Sequence, residues 1–259
     1  MDSSITLISN KLLNDGFSFV VVTARFFGAM AIFPVLNASF FSKIMKVLLS
    51  LAFALIIFPS LQTIEITNAN NLVKFFYILK EYFVGFVVGF ILSIPVWVIT
   101  GTGQIIDNQR GEQMGALVNP MSQTPSSSVG GLLIQSFIVY FVSMNGILFF
   151  VGIMYKSFSL YPVGQFLPVI NAHMIGNYIE LFKSLAVWTI LLAMPVIVLM
   201  FVVEVVLGLL STFLPQMNVT VLSLPIKSMV GIFILILYIN NLYQFILFHF
   251  LDKIKGVYV

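Results

Sequence analysis

The stretch Leu185–Leu210 reads LAVWTILLAMPVIVLMFVVEVVLGLL and carries a single charge, Glu204. A helix needs about 20 apolar residues to cross the hydrocarbon of a bilayer, and this run is long enough. Hydrocarbon offers no partner to backbone N–H and C=O groups, so such a run folds as a helix. It lacks the apolar/polar alternation of an outer-membrane barrel strand. Outward from it lie five more apolar segments: Phe17–Val35, Val47–Leu61, Tyr82–Ile99, Gly130–Met154 and Val230–Phe250. Tyr82–Ile99 is at the short end for a span. Val47–Leu61 is shorter still and reads as a half-spanning or buried helix.

Composition agrees with the segments. Of 259 residues, 60% are hydrophobic and 8% charged, and the mean hydropathy is +1.09. Ordinary soluble domains have about 45–50% and about 25% of these classes. So few charges cannot clothe a soluble globule, which excludes a cytosolic enzyme, a nucleic-acid binder and a disordered chain. The net charge of +3 is ordinary for a membrane protein with basic loops. The start, Met1-Asp2-Ser3-Ser4, lacks the basic region of a cleavable signal peptide. The expectation is an all-α, polytopic membrane protein of about six hydrophobic helical segments, forming one domain over 1–259.

Charges and prolines punctuate the segments. Arg25 lies about 12 Å along its helix from Phe17. Glu204 lies toward the end of the fifth segment. A charge at membrane depth costs roughly 2.5–3.5 kcal/mol on insertion scales, so it faces protein or water. Two readings stand: these charges line a polar path or pair with partner subunits, or each snorkels or makes one structural ion pair. Pro95 and Pro195 interrupt the third and fifth segments and remove a helix hydrogen bond each. Gly85 and Gly89 form a GxxxG pair that permits close helix approach.

Three connections are not lipid-like. The first, 101–129, reads GTGQIIDNQRGEQMGALVNPMSQTPSSSV, with Asp107, Arg110 and Glu112 as its charges. It reads as a 29-residue loop, long for a passive connector. Asp107 and Arg110 stand three apart, so they pair if the backbone there is helical. Asn119-Pro120 and Thr124-Pro125 favour turns. A buried or cavity-lining loop and an ordinary surface connection both fit. The second connection is 155–184, with the lone His173. The third, 211–228, reads STFLPQMNVTVLSLPIKS, bracketed by Pro215 and Pro225 and apolar enough to be buried against protein.

Chemistry is poorly served. There is no cysteine, and the two histidines, His173 and His249, cannot build a metal cluster. No GxSxG, HExxH, Walker A or GxGxxG is present. No nucleophile–base pair is visible, so the chain reads as a non-enzyme with no cofactor and no metal site. If it moves something, the energy comes from partners or from the membrane potential.

The residues Ile106-Asp107-Asn108-Gln109-Arg110-Gly111, then Met114 and Asn119-Pro120, resemble the central motif of the T component of type III secretion export gates. The likeness continues at Tyr155-Lys156-Ser157-Phe158, Tyr161-Pro162-Val163 and Glu204-Val205-Val206-Leu207-Gly208. It extends through Leu214-Pro215-Gln216-Met217-Asn218 and Leu224-Pro225-Ile226-Lys227-Ser228. Each block is weak alone; together, in family order along essentially the whole chain, they are specific. The family has a flagellar branch (FliR) and an injectisome branch (SctT, SpaR). Gln109-Arg110-Gly111 and Pro225-Ile226-Lys227-Ser228 resemble the injectisome branch.

The resemblance implies a pore-forming component of a bacterial inner-membrane export gate that passes unfolded proteins, with segments paired as hairpins in a larger helical assembly reaching toward the periplasmic side. It implies partnership with the R and S components, the U switch component, the V export component, inner rod or needle proteins, and exported substrates. Nucleic acid is not among them. It assigns a plug or pore loop to the region of Asp107, Gln109, Arg110, Gly111, Gln113, Met114, Asn119, Pro120 and Met121. It gives assembly or structural roles to Arg25, Glu204, Gly208, Pro215, Gln216, Asn218, Pro225 and Lys227. The alternatives are a stand-alone small-molecule transporter or channel, a passive scaffold, and the flagellar branch.

Overall fold

A computed structural model of the chain describes residues 2–37, 42–60, 70–112, 127–165, 172–213 and 219–258. Every regular element among them is helical. In chain order these are α1 (Asp2–Ile32), α2 (Pro34–Asn37), α3 (Lys43–Ile57), a 3₁₀ turn (Phe58–Ser60) and α4 (Asn71–Arg110). Then follow α5 (Ser128–Ser143), α6 (Gly146–Leu160), α7 (Ala172–Phe213) and α8 (Val219–Tyr258).

Local chemistry sets the ends. A residue before proline is pushed out of the helical region, so α1 stops ahead of Phe33-Pro34, and Pro34 opens α2, where no N–H is needed. The Ser42 hydroxyl accepts from Met45 N at 3.3 Å and caps α3. α4 ends at Gly111, whose φ of +81° is the left-handed stop that glycine adopts without strain. Asn145, at φ 58°, separates α5 from α6.

Several expectations change here. Among the described residues, four helices are long and apolar enough to cross a membrane: α1 over Lys11–Ile32, α4, α7 over Ile175–Phe213 and α8 over Leu222–Ile254. The bent pair α5–α6 raises the count to five if it is one broken span. The apolar segment Gly130–Met154 is therefore two helices. α3, at 15 residues, is about 22 Å long and falls short of a core about 30 Å thick. The polar stretch 101–129 is not loop throughout: α4 continues through its first ten residues. In 211–228, α8 already runs from Val219, so Pro225 is inside a helix. Pro95 and Pro195 lie within continuous helices.

The chain divides into two compact units. Met1–Ser93 and Asn145–Asn177 make most of one; Ile94–Met144 and Tyr178–Gly256 make the other. The chain passes between them inside α4, at the α5–α6 bend and inside α7.

In the first unit, α1 and α4 touch backbone to backbone. A Cβ at Gly85 would overlap the Arg25 carbonyl, one at Gly89 the Ala29 carbonyl, and one at Gly28 the Tyr82 carbonyl. The GxxxG pair thus does what its spacing allows: it removes the side chains that would hold the helices apart. Ser93, four further on from Gly89, donates to Gly89 O at 2.6 Å and reaches Ile32 O at 3.3 Å. Around this seam Phe26, Met30 and Phe33 are fully buried, and Phe33 stacks on Phe150 of α6 at 5.0 Å. Gly85→Ala should therefore destabilise the fold by about 1–3 kcal/mol, as overpacking does, and lower the melting point in detergent. An unchanged melting point would show that the seam can open without cost.

The second unit packs the rest of α4 with α5, α7 and α8 around Phe137, Leu192, Met200, Leu242 and Ile246. Gly103 stands directly against Gly130, and Thr102 donates to Val98 O at 2.8 Å while lying 3.3 Å from Thr189 O. Tyr243 Oη reaches Ser136 Oγ at 2.6 Å and Leu133 O at 3.0 Å, tying α8 to α5. The outward faces of α7 and α8 are apolar: Phe201, Leu209, Phe233 and Leu237 are more than half exposed. Such faces need lipid or protein against them. The chain is an all-α, polytopic membrane protein.

Candidate functional site

Three polar clusters stand out against this apolar background. The first lies at the ends of the 113–126 segment. Helical backbone through Arg110 places Asp107 and Arg110 one turn apart, and Arg110 NH1 donates to Asp107 Oδ1 at 2.8 Å. The other carboxylate oxygen, Oδ2, turns to the start of α5. It accepts from Ser127 Oγ at 2.5 Å, from Val129 N at 2.8 Å and from Gly130 N at 3.4 Å. A helix N-terminus leaves its first N–H groups unsatisfied and favours a negative charge. Asp107 meets both needs from a distant point in the chain and is almost fully buried.

Two further contacts brace the same place. Arg110 Nε donates to Ser228 Oγ of α8 at 3.1 Å. The Glu112 carboxylate accepts from Ser128 N at 3.3 Å. Residues just before and just after 113–126 are thus joined through Asp107, Glu112 and Ser127. Gly103 and Gly130, lacking side chains, let the α4 and α5 backbones approach closely enough for this.

The second cluster is in the first unit. Arg25 is fully buried within α1 and pairs with Glu81 of α4, also fully buried, at 2.5 Å. Lys80 Nζ approaches the other Glu81 oxygen, also at 2.5 Å. Arg25 donates to Tyr161 O at 2.8 Å and Ser157 Oγ at 3.3 Å, and its guanidinium lies 4.0 Å over the Phe158 ring. Lys80 donates to Val163 O at 3.1 Å and Gln165 O at 2.8 Å. One carboxylate between two cations therefore gathers α1, α4, α6 and the turn after α6. The third cluster is a pair: Lys227, buried in α8, lies 3.3 Å from the half-exposed Glu204 of α7.

These positions sort the sequence expectations. Asp107 and Arg110 pair as their spacing suggests. Gln109 is half-buried on the same helix turn, and Gly111 ends that helix beside Leu224. Gln113, Met114, Asn119, Pro120 and Met121 lie outside the described residues, as do Pro215, Gln216 and Asn218. Arg25 is paired with Glu81 and lies fully buried rather than reaching toward an interface. Glu204 and Lys227 partner each other. Gly208 and Pro225 are exposed on α7 and α8.

Sequence reasoning did not single out Lys80, Glu81 or Ser127, and Ser228 entered only as the last residue of the Pro225-Ile226-Lys227-Ser228 block, without its contact to Arg110. A signal existed for Glu81: a buried arginine requires a counter-charge, and Glu81 immediately precedes an apolar segment. Ser127 carried none, because serine is common wherever helices begin.

Comparison with known proteins supplies the relationship. Residues 17–252 match the family described as bacterial export proteins, family 1. The "Yop proteins translocation protein T" of Yersinia pestis is 30% identical over 235 residues, covering 90% of this chain and 88% of that one. The "Surface presentation of antigens protein SpaR" of Shigella flexneri is 32% identical over 169 residues, 65% of this chain and 64% of its own. The "Flagellar biosynthetic protein FliR" of Buchnera aphidicola is 25% identical over 232 residues, 89% and 85% of the two chains. With one family spanning nearly all of its helices, the chain belongs to the bacterial export proteins of family 1, the group that holds translocation protein T, SpaR and FliR.

Proposed function

We propose that this chain is a pore-forming, non-enzymatic component of a type III protein export gate in the bacterial inner membrane, acting as one domain over 1–259. Gln109 to Met121 form its plug or pore-facing loop, and Asp107 and Arg110 hold the closed shape of that loop through their charge pair. The observation that carries this reading is the double attachment at Asp107, which ties α4 to the start of α5 across the segment. A plug must be held at both ends if closure is to be reproducible, and a passive connector needs no such tie. The names of the relatives, translocation protein T and SpaR, support the injectisome branch, at 30–32% identity against 25% for the flagellar relative quoted.

In this reading Gln113, Met114, Asn119, Pro120 and Met121 face the export path. Methionine is flexible enough to seal against irregular neighbours. The apolar outer faces of α7 and α8, with Glu204, Gly208 and Pro225, meet the R and S components, and the U and V components and the rod or needle proteins complete the assembly.

The chain has no cysteine, so Gln113→Cys introduces a unique thiol. In cells carrying the whole export system, a secretion substrate stalled in transit should crosslink to that thiol. Deleting Gln113–Gly115 should raise leakage of small solutes. No crosslink with secretion intact, together with unchanged leakage, would make the segment a connector and the chain a scaffold.

A further inference from the structure

The first unit carries an apolar groove that neither the proposed plug nor the ion-pair clusters use. Phe19, Val20, Ala24 and Phe27, on one face of α1, meet Val47 and Leu51 of α3 around a space of about 370 Å³. Thr23 and Ser50 also border it. Each donates its hydroxyl proton to its own helix, to Phe19 O at 2.8 Å and to Val47 O at 2.7 Å. Neither proton is offered to a ligand, so the groove takes something apolar.

Its position relative to charge narrows the choice. α1 and α3 run antiparallel: the Phe19 and Phe58 rings lie 5.7 Å apart, and the Phe26 and Phe53 rings 6.0 Å. The Lys43 end of α3 therefore lies toward the Ile32 end of the apolar span Lys11–Ile32. Lys43, Val47 and Leu51 are spaced by four, on one face of α3. Lys43 is exposed and stands one turn, about 6 Å, outside the groove, with Lys46 beside it.

From Phe27 to Phe19 the groove runs about 12 Å along α1. That is most of one leaflet, half of a core about 30 Å thick. Apolar walls that begin beside two cations at the end of a span and run toward its middle suit an amphiphile, its anionic head at the membrane surface and its chain inward. Val20, Phe27 and Val47 are 49%, 41% and 42% exposed, so the groove is open to such a molecule from the side.

We propose that this groove binds one anionic phospholipid of the surrounding leaflet. An acyl chain lies against Phe19, Ala24, Phe27 and Leu51, and the phosphate sits at Lys43 and Lys46. A lysine near an anionic membrane surface contributes about 1 kcal/mol, or about five-fold in affinity.

The test is native mass spectrometry of the full chain within its export complex, titrated with phosphatidylglycerol or with phosphatidylcholine of the same acyl length. Phosphatidylglycerol should be retained about five-fold or more tightly. Lys43→Gln combined with Lys46→Gln should remove that preference, because the chain contacts remain and the head contacts do not. Ala24→Phe, which fills the groove, should lose both lipids; Ala24→Ser, which leaves it open, should keep them and serves as the folding control. Equal retention of the two lipids by the unaltered chain overturns the proposal, as does undiminished phosphatidylglycerol binding in Ala24→Phe. A photo-crosslinking residue at Val47 should give a lipid adduct. A protein adduct would show that a partner subunit covers the groove and would overturn the lipid assignment while leaving the export-gate reading intact.

Discussion

Replacing Glu81 by glutamine should destabilise the chain by about 3–5 kcal/mol, the usual cost of removing one member of a buried ion pair. Glu81 is the only acidic partner that Arg25 and Lys80 have among the described ion pairs. Without its charge, a fully buried guanidinium and a mostly buried ammonium repel each other, with only carbonyl and hydroxyl oxygens for compensation. Most of the loss should come from the uncompensated charge rather than from the missing bond. The double replacement Arg25→Met with Glu81→Leu should therefore be much milder than either single change, since well-packed apolar pairs often substitute for buried ion pairs at little cost. The measurement is the unfolding midpoint in detergent, together with abundance in the membrane. A Glu81→Gln chain as stable as the unaltered one would show that water reaches Arg25.

Asp107→Ala should have the largest functional effect. It removes the acceptor for Arg110, for Ser127 Oγ and for two backbone N–H groups at once. Charge-assisted hydrogen bonds contribute about 1.5–3 kcal/mol each, so a loss of about 3 kcal/mol or more is expected locally. With Gln109 to Met121 as the plug, the readout is leakage of ions or small solutes through the assembled gate at rest, which should rise strongly. Ser228→Ala removes only the brace from α8 and should leak far less, giving a graded pair. A tight gate with Asp107→Ala, in complexes that still assemble, would separate this cluster from closure.

How far the sequence reaches can be judged from single residues. The spanning helices were legible because burial in lipid demands long apolar runs, and Leu185–Leu210 leaves no other solution. The Asp107–Arg110 pair was legible because it is local. The continuation of α4 through Arg110 was not, because Gly101, Thr102 and Gly103 read as loop residues. Two of these three are small because other helices press on them: Gly101 against Thr189, Gly103 against Gly130. Tertiary packing overrode local propensity there. The break at Asn145 was hidden in an apolar run, where one left-handed residue leaves little trace. The Arg25–Glu81 partnership spans 56 residues of sequence and became readable only once the Gly85 and Gly89 seam fixed α1 against α4.

The break at Asn145 reaches beyond the chain itself. Residues 142–145 at the tip of α5–α6 are exposed, and the ladder of helical hydrogen bonds is interrupted there. The side-chain amide of Asn145 is exposed and caps no helix end, and an amide without a partner costs several kcal/mol in hydrocarbon. Acyl chains alone therefore cannot bathe this corner. Whatever surrounds it has to be wet or proteinaceous, and a bilayer that admits this chain by itself must dimple until headgroups or water reach Asn145.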